Sequence, residues 1–126
     1  MSLKSPLHHV KHAIAAVKYS CHGLAHTVKT ETAFFQETIG LILLPILAWL
    51  LGLSTAHIFL VLAAWLGVMV VELLNSAIES VCNLVSPEYH ILVKRAKDAG
   101  SAAVFLAMLA NLCLWAYLAC LYLKVL

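Results

Sequence analysis

The run TIGLILLPILAWLLGLSTA, residues 38–56, carries no charged side chain. It is just long enough to cross a bilayer as a helix, which takes about 20 residues. A first membrane-spanning helix is therefore predicted over about residues 36–53, and Pro45 should kink it without excluding it. Gly52 and Ser54 mark a short turn. A second apolar helix is expected over about residues 56–85, and a third span over about residues 97–123. The third is led in by the polar run EYHILVKRAKD, with Ser86 as N-cap and Pro87 as first helical position. Ahead of the spans, over about residues 5–30, Val10, Ile14, Val17, Cys21 and Leu24 recur at steps of three or four, with Lys11, Lys18 and His22 off that stripe. This is the pattern of an amphipathic helix lying on an anionic membrane surface, and a helix packed on other protein would share it.

Composition removes the soluble alternative. Of 126 residues, 63% are hydrophobic and 11% charged, and the mean hydropathy is +0.97. A soluble domain of this size leaves too much of its surface exposed to hide so much apolar area. The expectation is one all-α membrane domain over residues 1–126. The four cysteines form neither a C-x-x-C pair nor a zinc spacing, and no disulfide is expected. The first 30 residues hold four lysines and five of the seven histidines, not the apolar core of a signal peptide. A net charge of +2 with no recognition motif gives no reason to expect a nucleic-acid partner.

Charge sets the orientation. Lysines precede the first span, and Lys94, Arg95 and Lys97 precede the third, whereas the turn between the first two spans has no basic residue. Positive loops stay inside, so the N-terminus and residues 86–97 should face the cytoplasm, with the Leu53 turn and the C-terminus outside.

Against this background the stretch VELLNSAIES needs a reason. Glu72, Asn75 and Glu79 fall on one helical face. A charge at bilayer depth costs at least about 2.5–3.5 kcal/mol, so this face should line protein interior or a wet cleft. The bland reading is interhelical hydrogen bonding, which would suit Asn75 and Ser76. The two carboxylates lie roughly 10 Å apart along the axis, at 1.5 Å per residue, too far to grip one ion together. They therefore need different tasks. Glu31 and Glu37, in ETAFFQE before the first span, and Lys97 and Asp98 at the start of the third, should lie near Glu79 at the cytoplasmic interface. A layer of Glu31, Glu79, Lys97 and Asp98 suits a magnesium ion with substrate phosphates. The deeper Glu72 suits a general base on a lipid alcohol. A proton-coupled channel or transporter would use such an acidic site almost as well. Neither a phosphate loop nor a protein-kinase signature is present.

VELLNSAIES followed by SPEYHILVKRAKDAGSAAV resembles the prokaryotic diacylglycerol kinase family, small three-span membrane enzymes. The E-x-x-N-S-A-I-E and R-A-K-D-x-G-S-A-A-V signatures are both present, as is E-x-A-F-x-Q-E at Glu31, Ala33, Phe34, Gln36 and Glu37. The likeness spans about residues 10–120. It implies a homotrimer in the bacterial inner membrane that moves the γ-phosphate of MgATP to diacylglycerol, giving phosphatidic acid. By resemblance Glu72 is the base on the lipid hydroxyl, Asn75 supports the catalytic face, and Glu31 and Glu79 hold the divalent ion. His12, Tyr19, Glu88, Tyr89, His90, Lys97 and Asp98 match nucleotide-site positions. Ala33, Gln36, Glu37, Ser101 and Trp115 match positions near the lipid. His12 stands where one branch of the family has arginine, and Phe35 replaces a basic residue, so both remove permanent charge near the interface. Undecaprenol kinase, the family's other activity, is the nearest alternative. A non-catalytic, proton-conducting membrane oligomer is the alternative from another class.

Overall fold

The computed structural model describes residues 6–86 and 88–123, with side chains from Val10 onward. Four helices account for nearly all of them: α1 (Pro6–Thr30), α2 (Thr32–Leu50), α3 (Thr55–Val85) and α4 (Ile91–Tyr122). The last three are long and apolar enough to cross a membrane. Helix α3 packs against both α2 and α4, and α1 meets α2 at their junction.

The break between α1 and α2 is a single residue. Glu31 takes an extended backbone (φ −109°, ψ 112°) and caps α2 without lending its side chain to the cap. Its carboxylate, not used by the cap, borders a cleft shared with α3. Helix α2 remains helical through Pro45 and ends in a turn where Gly52 adopts φ 73°, a left-handed conformation that glycine takes without strain. Ser54 then caps α3, its hydroxyl accepting from the His57 amide.

The start of α4 differs from expectation. Ser86 ends α3, its amide bonded to the Cys82 carbonyl, and its hydroxyl donates to the Glu88 carbonyl at 3.0 Å. Ser86 therefore belongs to the turn that leaves α3 and does not adjoin Ile91, where α4 begins. His90 is the N-cap instead, with Nδ1 accepting from the Leu92 amide at 3.2 Å. Pro87, expected at the first helical position, lies outside the described residues.

The interior is slender. Phe34, Ala48, Val61, Val68 and Leu118 are fully buried, while Trp49, Phe59, Leu84 and Phe105 are mostly exposed. A surface this apolar requires lipid or other protein around it. On α1 Val10, Ile14, Val17 and Leu24 are exposed as well.

Candidate active site

Helix α3 carries the centre of the site. Seven-residue spacing puts Trp65, Glu72 and Glu79 on one stripe, with Asn75 beside it. Glu72 and Asn75 are buried, and Glu37 of α2 is only 3% exposed. Asn75 Nδ2 donates to Glu79 Oε1 at 3.3 Å, so the amide steadies one oxygen of the more superficial carboxylate. Glu72 lies within electrostatic reach of Glu79, Glu31 and Glu37. Four carboxylates from α2, α3 and the α1–α2 corner thus share one region.

Two buried acceptors in that region, Glu37 Oε2 and Asn75 Oδ1, have no hydrogen-bond partner. Buried oxygens are nearly always paired, so both mark a place where a donor belongs. Across from Asn75, α4 presents Gly100: a Cβ there would run into Asn75 Oδ1. The glycine lets α4 approach α3 closely enough to wall off the amide.

The polar chemistry at the Glu31 and Ser86 end of the protein divides into two clefts. One, of about 380 Å³, is lined by Glu88, Tyr89, His90, Lys97 and Asp98, all expected for the nucleotide, together with Asn83 and Lys94. Lys97 Nζ donates to Asn83 Oδ1 at 2.7 Å, and Lys94 pairs with Asp98 at 2.5 Å. Asp98 is thus paired within its own helix, while Lys97 is joined to a neutral amide of α3. Asn83 was not legible as a site residue, because its link to Lys97 joins two helices. The other cleft, of about 270 Å³, holds Glu31 with His26, Ser76 and Ser80.

Glu31 and Glu79 offer only hard oxygen ligands, the chemistry that Mg²⁺ favours. Among the described residues no three His, Cys, Asp or Glu side chains converge as a ready-made ion cage.

Other expected residues lie apart. His12 and Tyr19 are exposed on α1, and Ala33, Gln36 and Ser101 are exposed on α2 and α4. Trp115 lines a separate apolar groove with Leu51, Leu53, Leu118 and Tyr122, near the far ends of α2 and α4.

The model of the prokaryotic diacylglycerol kinase family matches residues 18–119. The diacylglycerol kinase of Haemophilus influenzae is 46% identical over 98 residues, which cover 77% of this chain and 82% of that protein. That of Escherichia coli (strain K12) is 40% identical over 105 residues, covering 83% and 86%. That of Pseudomonas aeruginosa is 41% identical over 108 residues, covering 85% and 87%. A match that takes in both signatures, all three apolar helices and the acidic stripe makes this chain a member of the prokaryotic diacylglycerol kinase family.

Proposed function

We propose that the protein transfers the γ-phosphate of MgATP to the free hydroxyl of diacylglycerol, forming phosphatidic acid in the bacterial inner membrane. The observation that carries this reading is the stacking of chemistry along α3. Buried Glu72 lies beside the unpartnered Glu37 Oε2 and Asn75 Oδ1, while Glu79, one heptad on, lies toward the Lys97 end of the protein.

In this reading Glu72 accepts the hydroxyl proton as the lipid oxygen attacks the γ-phosphorus and the bond to the departing ADP oxygen breaks, while Glu37 orients the alcohol and Asn75 holds Glu79. Lys97 takes phosphate charge, and Glu88, Tyr89 and His90 border the nucleotide. A divalent ion bridging Glu31 and Glu79 to the nucleotide would neutralise charge on its phosphates. Phosphoryl transfer depends mainly on such positioning and charge neutralisation, and needs little covalent chemistry from the protein. The N-terminus and residues 86–97 face the cytoplasm, where ATP is, and α1 lies on that surface. Three copies assemble, with each site completed by a neighbour, because one slender protomer is too small to enclose both substrates.

The deciding experiment supplies purified protein in mixed micelles with MgATP and either diacylglycerol or undecaprenol, and identifies the phosphorylated lipid. Phosphatidic acid as the main product is expected. Preferential phosphorylation of undecaprenol would overturn the substrate assignment, and no lipid phosphate at all would overturn the activity.

A further inference from the structure

Trp65 lies on the acidic stripe, one heptad from Glu72 and roughly 10 Å along the axis toward the Ser54 end at 1.5 Å per residue. Its indole Nε1 donates to the main-chain carbonyl of Glu37 at 2.7 Å. This is a bond between helices, reaching from α3 to α2. The carbonyl belongs to the residue whose own carboxylate is buried with Oε2 unpartnered, within electrostatic reach of Glu72.

The ring has a dedicated seat. Gly40, one turn beyond Glu37 on the same face of α2, lies against it, and a Cβ at Gly40 would come within 2.5 Å of Trp65 Cζ2 and 2.8 Å of Cε2. Only a residue without a side chain lets a large indole lie this close to the α2 backbone. Helix α2 also contains Pro45, which has no amide to give the Leu41 carbonyl, so the helix lacks an internal tie just beyond this point. A tie to α3 at Glu37 therefore fixes the part of α2 that carries the carboxylate.

We infer that Trp65 is a positioning residue for the transfer step: its indole N–H, seated on Gly40, clamps the Glu37 backbone so that the Glu37 carboxylate is held against Glu72. The inference rests on the reading of Glu37 and Glu72 as the groups that meet the lipid hydroxyl. Misplacement of an orienting group by about 1 Å can lower a rate by about 10²-fold, so loss of the clamp should be felt in turnover.

The test replaces the indole without changing its shape. 3-Benzothienylalanine at position 65 keeps the fused ring and lacks the N–H donor, and Trp65→Phe is its genetic counterpart. Both are assayed in mixed micelles with diacylglycerol and MgATP, alone and combined with Glu37→Asp. Each Trp65 replacement is expected to lower kcat at least about tenfold, a fraction of the misplacement effect above. KM for MgATP should stay within about twofold, because the nucleotide cleft lies on the other side of Glu79. In the Glu37→Asp background the replacement should add little, since the group it positions is already displaced. Normal kcat in the benzothienylalanine protein, or losses that simply multiply, would overturn the clamp. Full activity in Glu72→Gln would instead overturn the reading beneath it, whatever Trp65 does.

Discussion

Asn75 and Gly100 meet across the α3–α4 interface so closely that the glycine leaves no room for a Cβ beside the amide oxygen. The same Asn75 holds Glu79 through its amide nitrogen. Closeness of two helices is thus coupled to the aim of a carboxylate.

Gly100→Ala should consequently act on the site and on packing together. Overfilling a packed interface costs typically 1–3 kcal/mol, and here the amide head must also leave Glu79. Lower thermal stability in micelles is expected, together with a fall in kcat greater than the fall seen for Asn75→Ala-independent controls such as Gly67→Ala, whose Cβ would meet nothing within 4 Å. Equal behaviour of the two alanine variants would show that the close approach has no consequence.

The two carboxylates of α3 should fail differently. Glu79→Gln is expected to weaken MgATP binding and turnover alike. Glu72→Gln should leave MgATP binding largely intact and slow the chemical step by about 10²-fold or more, the scale of a lost general base. Nucleotide binding by calorimetry and single-turnover rates separate these outcomes. Equal, complete loss of binding in both variants would mean that the roles are misassigned.

Shared sites have their own signature. Glu72→Gln and Glu79→Gln protomers, each inactive alone, should regain activity when mixed and allowed to exchange, because some assemblies then contain one intact site. If every site is built within one chain, the mixture stays inactive even after exchange is verified by differently tagged protomers.

Orientation can be read by labelling. Ser54→Cys, in a background with Cys21, Cys82, Cys113 and Cys120 replaced, should react with an impermeant thiol reagent added outside intact cells. Labelling from the cytoplasmic side alone would reverse the topology and remove Glu79 from the side that ATP reaches.

What the sequence determined follows from periodicity and composition. Apolar runs of spanning length dictate three membrane helices, because a helix satisfies its backbone groups within its own segment. Helical spacing alone puts Glu72, Asn75 and Glu79 on one face, since neighbours along a helix are fixed by its pitch. The family signatures are likewise local strings. Only the tertiary structure decided which helix meets that face and at what height. The burial of Glu37 beside Glu72, the indole of Trp65 on the Glu37 carbonyl, Gly100 against Asn75 and Lys97 on Asn83 are all contacts between helices. Their register depends on how side chains of two helices interlock, and no one-helix period contains that information. The cap of α4 shows the same limit on a smaller scale. Ser86 and His90 both have side chains that can accept from an amide, and the path of the turn delays the helix to Ile91, so that His90 and not Ser86 adjoins its first residues.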